Sequence, residues 1–268
     1  MILEGDNLTH LRELPDGVAQ MVYADPPFNT GKTQLRRSFA TTPAGETPGD
    51  RTGFGGRRYS SKLLAESSFK DSFDDYLGFL GPRLEEIWRV LHPTGTLYLH
   101  VDYREAHYVK VFLDELFGRA SFLNELIWAY DYGAKAKNRW PQKHDTILVY
   151  VKDPREYFFD SEGVDREPYM APGLVTPEKV ARGKLPVSVI WHTIVSPTGR
   201  EKTGYPTQKP EGLLRRFVQA SSRPGDLCLD PFAGSGTLGA VAAKLGRRYL
   251  LIDESPEAVA VMRRRLEA

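Results

Sequence analysis

A single cysteine among 268 residues, Cys228, leaves no internal disulfide and no cysteine-rich zinc site. It lies in the apolar run Leu227-Cys228-Leu229 and reads as a buried thiol, so chemistry through a cysteine nucleophile is not expected. Long apolar runs are missing too. Nothing approaches the ~20 residues of a membrane span, so no membrane association is expected. Met1–Asp6 has neither the basic nor the long apolar region of a secretion signal. A cytoplasmic protein is the expectation. The histidines His100, His107, His144 and His192 do not fall into ligand spacing with acids or cysteine, which predicts no metal. No internal repeat is visible.

Net charge is scarce as well, with 36 Lys and Arg against 35 Asp and Glu, a balance of +1. Its distribution says more than its sum. Residues 31–65 carry seven basic side chains (Lys32, Arg36, Arg37, Arg51, Arg57, Arg58, Lys62) against Glu46 and Asp50. Residues 178–216 carry eight basic against three acidic, and a loop before Thr146 holds Lys135, Lys137, Arg139 and Lys143. Basic clusters on a near-neutral chain suit a local phosphate-contacting face. Lys32, Arg36, Arg37, Arg57, Arg58, Lys135, Lys137 and Arg139 are the candidate DNA contacts.

Hydrophobic residues at 41% and charged residues at 26% suit a folded α/β chain. Val18–Ala24 reads as a buried strand that ends at Asp25, because Pro26 and Pro27 cannot extend a ladder. Thr96–Val101 is another strand, followed by Asp102, a further candidate to line a site. A helix is expected over Asp74–Leu91, with Gly81-Pro82 as a point of kinking or division. Residues 30–65 show little apolar periodicity and read as a mobile loop, and 153–206 as a proline-punctuated second lobe. Strand Leu227–Asp230, a glycine loop, a helix, strand Arg248–Asp253 and a helix capped by Ser255 close the chain. Trp88 and Trp128 read as core, whereas Trp140 and Trp191 fall in less regular stretches.

Two motifs carry chemistry. Gly234-Ser235-Gly236-Thr237 follows a strand and opens a helix, where glycines let the backbone approach a ligand closely. Asp253, 19 residues after Gly234, ends the next strand, where an acid can accept ribose hydroxyls. A dinucleotide site would share this pattern, but Asp230 would repel a pyrophosphate and would instead suit a cationic sulfonium. The second motif is Asp25-Pro26-Pro27-Phe28. The lone pair of a base amino group is delocalised into its ring. An enzyme must hold its hydrogens with fixed acceptors, here the Asp25 carboxylate and the Pro26 carbonyl, stiffened by Pro27, while Phe28 offers a stacking face. Such a base must leave the duplex to be reached.

With Asp25-Pro26-Pro27-Phe28-Asn29-Thr30-Gly31, Thr207-Gln208-Lys209-Pro210 and Asp230-Pro231-Phe232-Ala233-Gly234-Ser235-Gly236-Thr237 in this order, the chain resembles the S-adenosylmethionine-dependent amino-group DNA methyltransferases of the permuted β class. The resemblance is weakest over 33–65 and 153–200. It implies a seven-stranded, mostly parallel Rossmann-like sheet with one antiparallel strand, helices on both faces and a small inserted target-recognition lobe. The expected organisation is a catalytic half, 1–152, a recognition lobe, 153–206, and a cofactor half, 207–268. By position, Asp253 holds the cofactor ribose, Gln208, Lys209 and Pro210 the methionine end, and Asp6 the cofactor edge, with Asp230 to Thr237 as the cradle. Phe28 departs from the tyrosine usual in adenine enzymes and loses only a hydroxyl. Amino-cytosine enzymes more often begin with serine, so Asp25 favours adenine. Amino-cytosine methylation, an RNA or protein amide substrate, and a non-catalytic DNA-binding subunit stay open. So do a homodimer and a cognate restriction endonuclease as partners of a chain acting on duplex DNA.

Overall fold

The computed structural model describes residues 1–43, 51–52, 58–133, 135–196 and 198–267, with 32–43, 51–52 and 58–70 as backbone only. The chain divides into two compact units, residues 1–28 with 75–268, and residues 29–74.

The first unit is built on one eight-stranded sheet. Its strands are β1 (Ile2–Glu4), β2 (Ala19–Ala24), β6 (Leu91–Val101), β7 (Phe122–Ala129), β8 (His144–Val151), β9 (Val189–Trp191), β10 (Leu227–Asp230) and β11 (Arg248–Asp253), in the spatial order β1-β11-β10-β2-β6-β8-β7-β9. All neighbours pair in parallel except β8, which runs antiparallel to both β6 and β7. This is the expected mostly parallel sheet with one reversed strand, but with eight strands rather than seven. The extra one, β9, comes from the irregular segment 153–206 and adds itself to the free edge of β7 through Ile127↔Val189 to Ala129↔Trp191. Three residues are too few to announce a strand by alternation.

The sheet's interior strands read as continuous apolar runs because both faces are covered. Every residue of β2 is buried. Helices α1 (Asn7–Glu13), α2 (Tyr76–Val90), α3 (Ala106–Phe117), α5 (Glu211–Ser221), α6 (Thr237–Lys244) and α7 (Pro256–Leu266) surround it, with short α4 (Pro177–Arg182) on the periphery. α2 is one uninterrupted helix rather than a divided one. Asp75 caps it by accepting from Gly78 N at 2.8 Å, and Gly81 lets Phe112 approach so closely that a Cβ there would meet its Cζ at 3.1 Å. Tertiary packing on Leu80, Leu84 and Ile87, all fully buried, outweighs the one bond that Pro82 removes. Leu97 is fully buried in the centre of β6, so Leu97→Ala is expected to cost about 2–5 kcal/mol, read as a lower urea midpoint at unchanged slope.

Segment 153–206 packs into this first unit. Phe158 N donates to Thr94 O at 2.9 Å, Asp160 N to Ala220 O at 2.8 Å, and Arg215 pairs with Asp165 at 2.6 Å. The other unit corrects the reading of 30–65 as a loop. It contains a three-stranded antiparallel sheet of β3 (Lys32–Pro43), β4 (Arg51–Thr52) and β5 (Arg58–Asp71). β3 and β5 pair from Lys32↔Asp71 to Pro43↔Tyr59, with an irregularity at Ser38/Phe39. Their sequences are too polar to alternate, and alternation reports burial of one face rather than ladder formation.

Candidate active site

Five acids meet along one edge of the large sheet. Asp25, Asp102, Asp230 and Asp253 stand at the carboxyl ends of the parallel strands β2, β6, β10 and β11. Asp145 joins them from the other direction. Antiparallel β8 begins where β6 ends, and the register Val101↔Thr146 sets its second residue beside Asp102. Ligands of open α/β sheets bind outside this edge.

The glycine loop lies over β10. Gly234 and Gly236 have φ of 50° and 72°, a region that favours glycine, and a Cβ on Gly236 would lie 2.8 Å from Met262 Cγ. Asp253 closes the turn by accepting from Gly234 N at 2.8 Å and Ser255 N at 2.9 Å. Arg265 donates to Ser235 O at 3.1 Å and to Thr237 Oγ1 at 3.2 Å, fixing the far side. Ala233 and Pro231 are buried and Phe232 half-buried. Asn7 donates to Pro231 O at 2.7 Å, and Arg83 ties Asn7 to Asp6, at 2.7 and 2.8 Å. Burial works to raise the Asp6 carboxyl, but the Arg83 charge and the N–H groups of Thr9 and Leu8 outweigh it and hold Asp6 below the usual carboxylate range.

Asp230 is different. Its carboxyl is only 3% exposed and accepts from Phe232 N at 3.0 Å. Burial pushes it well above the ordinary range, and the nearby charges of Asp25 and Asp253 push the same way. A cationic neighbour would favour the ionised form of this carboxyl.

Asp25 follows β2, and Phe28 of the same tetrapeptide lines a cavity at this edge of the sheet. Lys209 Nζ donates to Asp25 Oδ2 and lies 5.2 Å from the centroid of Phe28. Tyr76 donates to Pro27 O at 2.8 Å, while Pro26 is buried. Behind the tetrapeptide runs a buried polar chain that the sequence did not reveal. The Tyr23 hydroxyl is hydrogen-bonded to His100 Nδ1 at 2.7 Å. His100 Nε2 meets Asp145 Oδ2 at 3.2 Å, and Tyr130 donates to Asp145 Oδ1 at 3.0 Å. His100 Nδ1 also lies 4.0 Å from Asp25 Oδ1, and its ring is 5.6 Å from that of Phe28. Burial alone would raise Asp145; its bond to His100, with the His100 and Lys209 charges and Tyr130, lowers it instead. Tyr23 is pushed well up, first by burial and then by Asp25, so it stays a neutral hydroxyl. His100 and Asp145 were invisible as a pair because β6–β8 register, not sequence spacing, joins them.

The cavity on this side has a volume of about 470 Å³ and is lined by Phe28, Asp102, Tyr130, Asp145, Gln142 and the basic loop through Lys135 and Arg139, among others. Asp102 thus lines the site as its strand-end position suggested, accepting from Arg104 N at 3.0 Å. Lys137 is exposed nearby, as is Trp140 at 94%. Of the other basic candidates, Lys32, Arg36 and Arg37 fall on β3 and Arg58 opens β5, whereas Arg57 lies outside the described residues. In the Thr207–Pro210 segment, Thr207 has a φ of 58°. The Gln208 amide is engaged within its own loop, accepting from Thr203 N at 2.9 Å and donating to Glu201 O at 2.6 Å. Pro210 caps α5, and the Lys209 carbonyl accepts from Thr237 Oγ1 at 3.0 Å, joining this segment to the glycine loop.

Among the described residues no group of three or more His, Cys, Asp or Glu could hold a metal ion, and no helix is long and apolar enough to cross a membrane. Burial pushes the Cys228 thiol up to about 11, which leaves it inert.

A mostly parallel sheet with a glycine loop and an Asp-Pro-Pro-Phe turn on the same edge has the architecture of a methyltransferase-type domain. The family model for DNA methylases of the N6/N4 type matches residues 19–264, and the chain belongs to that family. It is 31% identical to the DNA adenine methyltransferase YhdJ of Escherichia coli, an alignment that covers 99% of this chain and 82% of that one. It is 30% identical to the type II methyltransferase M.HpaI of Haemophilus parainfluenzae, over 96% of this chain and 71% of the relative. Among solved structures, the fold matches the M1.HpyAVI–SAM complex with a TM-score of 0.62 at 20% identity, covering 100% and 99% of the two chains. It matches the cytosine-N4-specific PvuII DNA methyltransferase with a TM-score of 0.67 at 16% identity, covering 98% and 85%.

Proposed function

We propose that this protein transfers a methyl group from S-adenosylmethionine to the N6 amino group of adenine in duplex DNA. The observation that carries the reading is that Phe28 of the tetrapeptide lines a partly basic cavity of about 470 Å³, while Asp25 is tied through Lys209 to the start of the glycine-loop helix.

The residues fit the cofactor. The glycine loop supplies a backbone cradle that a Cβ would fill, Asp253 a carboxylate at its rim, and Asp230 a buried carboxyl whose ionised form a cationic sulfur would favour. Asp6, Pro231, Phe232, Ala233, Ser235 and Thr237 complete the binding set, together with the Gln208–Pro210 backbone. When bound, S-adenosylmethionine supplies an electrophilic methyl group, which the base nitrogen takes directly with no covalent enzyme intermediate. Asp25 and the Pro26 carbonyl accept the two amino hydrogens and hold the nitrogen out of conjugation. Phe28 stacks on the extruded base, and the His100–Phe28 contact backs that ring. Tyr130 and Gln142 line the cavity, while Lys135, Lys137 and Arg139 are assigned to the flanking phosphates. Lys32, Arg36, Arg37, Arg57 and Arg58 are assigned to the DNA as well, and segment 153–206 to target recognition.

Adenine is preferred over cytosine on two grounds, the Asp that opens the tetrapeptide and the adenine enzyme among the relatives at about 31% identity. The fold match to a cytosine-N4 enzyme keeps the alternative in view. Labelled methyl transfer to a mixed-sequence unmethylated duplex, followed by nucleoside chromatography, decides. The expected product is N6-methyladenine. N4-methylcytosine would replace the base and keep the mechanism, and transfer to RNA or protein alone would reject both.

A further inference from the structure

The sequence placed Lys209 on the cofactor, but its side chain points to a different task. Nζ donates to Asp25 Oδ2 and lies over Phe28, with only 11% of the lysine side chain and 18% of the aspartate side chain exposed. The carbonyl of the same residue accepts from Thr237 Oγ1 at the start of the glycine-loop helix. Lys209 therefore joins the two segments, with its ammonium on the tetrapeptide and its carbonyl on the start of the glycine-loop helix. It also acts on more than one acid: its charge favours the ionised forms of both Asp230 and Asp145. One lysine thus serves as counter-ion to the acids on both sides of the transfer position.

We propose that Lys209 is a positioning residue that competes with the cofactor's cationic sulfur for the field of Asp25. This rests on the cofactor reading above. Two cations cannot share so small and dry a place without mutual repulsion. A base amino group also needs the Asp25 oxygens as acceptors, and Lys209 holds one of them. With the sulfonium bound, Lys209 yields Asp25, and the clamp opens to the base. Binding of the methyl donor and release of the clamp are thereby one electrostatic event, which S-adenosylhomocysteine, with its neutral sulfur, does not reproduce.

The test is the ratio of affinities for S-adenosylmethionine and S-adenosylhomocysteine, measured by calorimetry on the whole protein without DNA. Lys209→Met is expected to raise the preference for the charged cofactor about tenfold, because it removes a competing cation. Lys209→Arg keeps the wild-type ratio, and Asp25→Asn lowers the preference, opposite to Lys209→Met. An unchanged ratio in Lys209→Met, within about twofold, overturns the inference. So does a parallel loss of both ligands, which is the behaviour of a lysine that holds the methionine carboxylate common to the two. If Lys209→Met fails to fold, Asp25→Asn carries the test alone, and an unchanged ratio there is equally fatal. Wild-type protein that binds neither ligand would instead overturn the cofactor reading itself, so the two failures are distinguishable.

Discussion

Asp25→Ala is expected to lower single-turnover methyl transfer on the order of 10³-fold, within the range of a positioned proton-accepting group, while both cofactor forms still bind. The carboxylate follows a fully buried strand and is held by Lys209 on one oxygen, with His100 4.0 Å from the other. Little of its position is left to chance. Removing it leaves the glycine loop, Asp253 and Arg265 contacts in place, because none passes through Asp25. The base loses the acceptor that holds its amino hydrogens and takes up the proton that methylation must release. Transfer by Asp25→Ala within tenfold of wild type, with intact cofactor binding, would remove this residue from the mechanism.

Asp230→Asn is expected to raise thermal stability and to weaken binding of the charged cofactor at the same time. An acid whose folded pKa is raised binds its proton more tightly in the folded state. Its contribution to stability is intact below about pH 4, near the unfolded value, and is lost as pH rises toward the folded value. At neutral pH the wild-type protein bears that penalty at a carboxyl that is 3% exposed and close to Asp25 and Asp253. Asparagine keeps the oxygen that Phe232 N approaches and removes the ionisation. Relief of one to two kcal/mol is a modest share of a buried ion's penalty and corresponds to a rise of about 3–6 °C in melting temperature. The gain should shrink as the melt is repeated at pH 5 and then pH 4. Affinity for S-adenosylmethionine should fall more than affinity for S-adenosylhomocysteine. A lower melting temperature at pH 7 would mean that the charge of Asp230 is already compensated in the fold.

Much of this arrangement was legible from local chemistry. β11 matches its expected span, Arg248–Asp253, and β10 its span, Leu227–Asp230, because short apolar runs bounded by turn residues leave few alternatives. Ser255 caps α7 through its own side chain, as Ser-Pro at a helix start requires. The tetrapeptide and the glycine loop stand at strand ends for local reasons: two consecutive prolines lack the N–H groups to extend a ladder, and the glycines take the positive φ of a turn. The basic loop before β8 reaches the cavity through Lys135 and Arg139.

Other features had no local signal. The ladder between β3 and β5 has few apolar residues with which to alternate, so it read as a loop. β9 is three residues long and exists because the edge of β7 accepts it. His100 and Asp145 lie 45 positions apart and meet because β8 reverses direction. Lys209 and Asp25 are 184 positions apart, and only the folded chain brings the ammonium to the carboxylate. The sequence by itself determined where the two motifs fall and the strands that lead into them, since turn residues and apolar runs act within a few positions. Tertiary structure alone decided how the acids share their counter-ions, because register and burial set distances between residues that have no relation along the chain.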